Sequence, residues 1–225
     1  MLFAFASMDA GSTPATNRSA PVVSGLQAEQ VAIVVNDEDA NSVAVANYYQ
    51  QARHIPEKNV VHVRIPHSPR KLGVAEFNAL KQQIEAGIGP EIQAIVLVWT
   101  APYAVECNSI TAALTLGFDA AQCKKSCAPG KPSPYFNSNS RRPYSDLGIR
   151  IAMMLPTDSI ERAKSVINRG VLSEFRLQPA SAYFLVTADL DRNTRAQFFP
   201  PSMKIPPLKF RVKTLRANKI TGKQD

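Results

Sequence analysis

Apolar residues are spaced along this chain in two rhythms that alternate. Gln30-Val-Ala-Ile-Val-Val-Asn36 and Ile92-Gln-Ala-Ile-Val-Leu-Val-Trp99 are near-continuous apolar runs of strand length, the pattern of strands covered on both faces. Asn59-Val-Val-His-Val-Arg-Ile65 reads as a further strand, with His62 at its middle. Between the runs, apolar positions recur at helical spacing. Val43, Ala46, Tyr49 and Ala52 predict a helix starting at Asn41 or Ser42, either of which can cap free N–H groups, and running through Arg53 to a stop at Pro56. Val74, Phe77, Leu80, Ile84 and Ile88 predict a second helix over 74–88, ended by Gly87, Gly89 and Pro90. Strand, helix, strand, helix, strand in this order predicts parallel pairing through right-handed crossovers. The fold expected is therefore α/β: a three-layer, mostly parallel open sheet with flanking helices, Rossmann-like or flavodoxin-like.

The later chain is less regular. Asn108 to Leu116 reads as a short helix leading into a long loop, about 117–147, rich in Pro, Ser, Asn, Lys and Arg. Ile149 to Leu155 reads as a strand or a buried helix segment. A helix is predicted from Asp158 to Arg169, with Asp158 and Glu161 as a capping box and Gly170 as the left-handed residue that ends it. Ala182 to Thr187 is a further strand, and Phe210 to Val212 an edge strand after a Pro-rich stretch (Pro200, Pro201, Pro206, Pro207). Three regions result: 1–28 as a disordered tail or the remnant of an export signal, 29–199 as the α/β domain, and 200–225 as a Pro-rich basic extension.

Composition narrows the setting. The chain has 225 residues, 45% of them hydrophobic, enough for a substantial core, and no apolar run long enough to span a membrane. Its net charge of +8 is concentrated late, at Lys204, Lys209, Arg211, Lys213, Arg216, Lys219 and Lys223. Such a stretch can hold phosphate or an anionic surface. The alternation in Lys209-Phe-Arg-Val-Lys213 is equally that of a solvated strand, and with no nucleic-acid module present no nucleic-acid partner is expected.

Chemistry-bearing residues are few. Cys107, Cys123 and Cys127 form a C-x15-C-x3-C pattern, and the histidines, His54, His62 and His67, all lie upstream. Structural zinc would need the fold to bring one histidine back to the three sulfurs. In an exported protein the cysteines instead provide a disulfide, Cys123 with Cys127 or Cys107 with either, that pins the long loop. Cys107 also lies just beyond the third strand, where parallel sheets expose catalytic groups; with His54 as base it would be a nucleophile. Asp37, Glu38, Asp39, Glu106, Asp189 and Asp191 are placed to converge at one sheet edge, a potential oxygen site for a divalent cation. Dinucleotide, P-loop, nucleophile-elbow and zinc-peptidase signatures are absent, and no cofactor is predicted.

Several strings carry a resemblance. Asn41-Ser-Val-Ala-Val-Ala-Asn-Tyr-Tyr49, Arg53-His-Ile-Pro56, Ala101-Pro-Tyr103, Asn108-Ser-Ile110, Pro134-Tyr-Phe136, Arg142-Pro-Tyr144, Ile167-Asn-Arg-Gly170 and Lys204-Ile-Pro-Pro207 together resemble an uncharacterised bacterial family that occurs with exosortase, the envelope protein-sorting system. The resemblance implies an exported or periplasmic setting, with other envelope proteins or sorting components as partners, and no particular reaction. It also implies a chain shorter than the family's members, which continue past a segment like Arg216 to Asp225. An intact N-terminus would instead place the protein in the cytoplasm. By fold-level analogy the strand alternation is similar to that of caspase- and gingipain-type cysteine peptidases, whose His-Gly and Ala-Cys elements are not found here. A thiol-dependent hydrolase with an incomplete centre is the alternative expectation.

Overall fold

A computed structural model describes residues 25–124, 130–173, 180–190, 193–205 and 210–220. Four parallel strands build the main sheet: β1 (Val31–Asn36), β2 (Val60–Val63), β4 (Ala94–Val98) and β7 (Ile151–Met154), in the order β2-β1-β4-β7. Counted along the chain this is the 2-1-3-4 order of flavodoxin-type sheets, and the expected α/β architecture holds. The apolar runs of β1 and β4 are central, as their sequence requires; Ala32, Ile33 and Val34 are wholly buried.

Alternate residues of each strand feed two cores. Ala32, Val34, Ile95 and Leu97 pack under α2 (Val74–Ala86) and α3 (Ile110–Leu116). Ile33, Val35 and Val98 pack under α1 (Ala40–Arg53) and α6 (Ile160–Leu172). The two helix pairs form the outer layers. Between Lys71 and Ser109 a small sheet joins the loops after β2 and β4: β3 (Lys71–Leu72) runs parallel to β5 (Ala104–Val105), which turns back as β6 (Asn108–Ser109). Two short helices, α4 (Ala120–Lys124) and α5 (Pro143–Leu147), lie in the stretch expected to be a loop.

The helix ends depart from expectation for identifiable reasons. Asp39, not Asn41 or Ser42, is the N-cap of α1, its carboxylate accepting the N–H of Asn41 at 2.9 Å. Helix α6 starts later than Asp158 because Ser159 is its cap, accepting the N–H of Arg162. It also continues past Gly170. That glycine lies inside the helix and does not end it; a Cβ there would come within 2.5 Å of Nη2 of Arg53, the movable tip of a side chain on α1.

Strand β8 (Ala180–Val186) belongs to a separate three-stranded sheet, order β8-β10-β9. Strand β10 (Phe210–Arg216) is its centre, parallel to β8 on one side and antiparallel to β9 (Met203–Ile205) on the other. The expected edge strand is thus an inner one, and one sheet spans the boundary expected between 199 and 200.

Candidate functional site

In an open α/β sheet the binding crevice forms outside the carboxyl ends of two neighbouring strands whose connections leave to opposite faces. Here those strands are β1, which leads into α1, and β4, which leads toward α3. The residues at this point are Asn36 to Ser42, Trp99 to Tyr103 and Thr157 to Ser159.

The crevice is filled by the chain's own groups. Ser42, fully buried on the first turn of α1, accepts the backbone N–H of Asn36 at 2.9 Å and donates its hydroxyl to the carbonyl of Val98, so one side chain joins the ends of both strands. Asn36, also fully buried, uses its amide on the next loop: Oδ1 accepts from the N–H groups of Ile65 and Glu38, and Nδ2 donates to the Ile65 carbonyl. Thr157 closes the other side. Its N–H donates to Thr100 Oγ1 at 2.8 Å, its hydroxyl donates to Asp39 Oδ2 at 3.3 Å, and its carbonyl accepts from Asn41 Nδ2 at 3.0 Å. The indole N–H of buried Trp99 reaches the Pro102 carbonyl across the cis Ala101–Pro102 bond.

This arrangement has an electrostatic consequence. Where many α/β proteins aim the first amides of a helix at a phosphate, Asp39 supplies the anion internally. Asp37 and Glu38 add negative charge beside it, which disfavours a phosphate ligand there. Asp37 is in turn held by His62, Oδ1 to Nδ1 at 2.7 Å, although His62 lies within an edge strand.

The sulfur and histidine candidates are distributed otherwise. Cys107, at the turn between β5 and β6, is bonded to Cys123 on α4. The same turn is clamped to the α3–α4 connection by Asn108, whose Oδ1 accepts the N–H of Asp119 at 2.7 Å while its Nδ2 donates to the Asp119 carbonyl. Of the pairings left open by the sequence, Cys107 with Cys123 is the one formed; Cys127 lies outside the described residues. A thiolate at 107 therefore exists only after reduction. His54 is the C-cap of α1, in left-handed conformation with φ 55°. Because α1 runs back along the sheet from the end of β1 to the start of β2, His54 stands at the amino edge, whereas Cys107 follows the carboxyl end of β4. The topology sets this pair at opposite ends of the sheet and does not assemble the base and nucleophile named together from the sequence.

Among the described residues no group of three or more His, Cys, Asp and Glu side chains is placed to hold a metal ion. Asp37 and Asp39 are engaged as above, Glu106 sits in the β5–β6 turn with φ 49°, Asp189 follows β8, and Asp191 lies outside the described residues.

Sequence reading missed Gln93. It passes for an ordinary strand residue, yet its buried side chain organises the other end of the sheet: Oε1 accepts the N–H groups of Tyr144 and Ser145, and Nε2 donates to the Glu91 carbonyl and Ser145 Oγ. One glutamine thereby caps α5. Beside it, Arg150 lies over the Tyr144 ring at 3.4 Å and donates to the carbonyls of Ile92 and Gly89. Arg150, Tyr144, Lys81 and Thr115 line a cavity of about 450 Å³. A second cavity, about 470 Å³, opens beyond β2 between Arg64, His67, Leu72 and Glu76. The only sequence signal for Gln93 was an amide interrupting an apolar run.

No described helix is long and apolar enough to cross a membrane. Comparison with known proteins finds no matching protein family, no matching curated protein and no matching solved structure.

Proposed function

We propose that the chain is an exported or envelope-located α/β protein that acts by binding, as an accessory in the protein-sorting setting its sequence resembles. The observation that carries this reading is the Cys107–Cys123 disulfide, which ties the β5–β6 turn to α4. Disulfides of this structural kind persist in oxidising compartments and are rare in the cytosol. The same bond occupies the sulfur best placed to be a nucleophile. The helix start that would take a phosphate is capped from within, which further supports recognition through surfaces over cofactor chemistry at the switch point.

The test is fractionation of the native host combined with intact-mass analysis, before and after reduction and thiol alkylation. Recovery in the envelope or periplasmic fraction with one disulfide, together with co-purifying sorting components, is the expected result. Exclusive cytosolic recovery with three free thiols would overturn the proposal. The thiol-hydrolase alternative has its own discriminator: any hydrolysis detected must disappear in Cys107→Ala.

A further inference from the structure

The β8-β10-β9 sheet has two unlike faces. Residues directly opposite one another across a sheet share a face, and alternate residues along a strand change face. On one face lie Phe184, Val212 and Thr214; Val212 is buried, the Phe184 ring meets that of Phe199 at a tilt with centroids 5.2 Å apart, and the Thr214 hydroxyl donates to the Pro200 carbonyl. This is the packed face.

The other face carries charge. Arg211 on β10 stands directly opposite Lys204 on β9, and both are exposed. Two residues on, Lys213 stands opposite Tyr183 of β8, donating to its hydroxyl at 2.9 Å and lying 4.9 Å from the ring centroid. One rung further, Leu215 stands opposite Leu185. No Asp or Glu occurs in any of the three strands. Like charges placed directly opposite destabilise a sheet, so an anion beside the Lys204–Arg211 pairing relieves it.

We infer that this face docks onto an anionic lipid bilayer, with the exposed Lys204 and Arg211 against the headgroup phosphates and Lys213, engaged with Tyr183, adding its charge behind them. Alternate residues of a strand are about 6.6 Å apart and neighbouring strands about 4.8 Å, so the three cations form a compact cluster. A duplex presents charge along a long line; this patch is only two rungs deep. The remaining rungs fit a membrane interface, because an amphipathic Tyr and a pair of leucines adjoin the cations on one side. The inference goes beyond the proposed function: it names a partner surface and stands whether or not the sorting role holds.

The test uses the purified chain and sedimentation with vesicles, either of neutral phosphatidylcholine or containing roughly one-third phosphatidylglycerol. Binding to the anionic vesicles only, weakening as salt rises, is expected. Each basic contact removed lowers partitioning about 5-fold, so Lys204→Gln with Arg211→Gln lowers it about 25-fold. The control is Lys58→Gln with Lys81→Gln, which removes the same charge from residues paired with Glu91 and Glu85 and leaves partitioning unchanged. Equal loss in the control, equal binding to neutral vesicles, or full retention by the patch variant would overturn the inference. So would displacement by inorganic phosphate at constant ionic strength, which would mark a soluble phosphate site, or tighter patch-dependent binding to single-stranded RNA.

Discussion

The hydroxyl of Ser42 accepts the backbone N–H of Asn36 at 2.9 Å, and this bond closes the crevice that the strand order opens. A buried N–H that loses its acceptor costs about 1–3 kcal/mol. Ser42→Ala is expected to destabilise the fold by that amount, and Ser42→Val by more, since it adds bulk without restoring a donor or acceptor. Urea denaturation of the two variants checks this. A loss within a few tenths of a kcal/mol for both would show that the hydroxyl is replaceable.

Gln93 makes four hydrogen bonds from one buried amide. In Gln93→Leu the first amides of α5 lose their acceptor, for an expected loss of about 2–3 kcal/mol. Hydrogen exchange gives the more specific readout, because Tyr144 and Ser145 amides become unprotected while β1 and β4 stay protected.

Reduction of the Cys107–Cys123 bond reopens a loop with a sequence separation of 16. Loop-closure entropy assigns such a bond about 3 kcal/mol. The Cys107→Ala, Cys123→Ala double variant should show the same loss without reductant and no further change when reductant is added.

Alkaline pH provides a fourth check. Burial holds the Tyr49 hydroxyl above its usual value of 10.0, opposed in smaller part by the charge of Arg53. A raised folded value means that the unfolded state loses its proton first. Stability is therefore complete below 10.0 and falls as pH rises above it, toward the folded value. Tyr49→Phe should remove this part of the alkaline loss, measured as the change in denaturation midpoint between neutral pH and pH above 10.

Much of the fold was legible because burial imposes period. Strands β1 and β4 are covered on both faces, so their composition announces them, and α1 and α2 show the stripe of a one-sided helix. The ends were less legible. Asp39, Asn41, Ser42, Asp158 and Ser159 are all competent caps, and which one acts depends on tertiary partners that no local window contains. Ser42 fits a cap by type and serves as a strand bridge, because the turn after β1 directs it inward. The candidate site was less legible still. Cys107 after a strand and His54 after a helix are both near strand ends in sequence, but a helix carries the chain the length of the sheet, and the two positions fall at opposite edges. Strand β10 read as an edge because Pro206 and Pro207 precede it; its parallel partner β8 is contributed from across the Pro-rich stretch, a pairing without a local signature.

The sulfur bridge also alters what a cut in the backbone can do. A protease acting between residues 108 and 122 opens the chain inside the covalent ring, so both pieces remain one molecule until a reductant separates them. A cut beyond residue 123 and before β7 falls outside the ring and leaves fragments joined only by packing. The two segments thus differ in how damage is registered: one is silent until the redox conditions change, the other immediate.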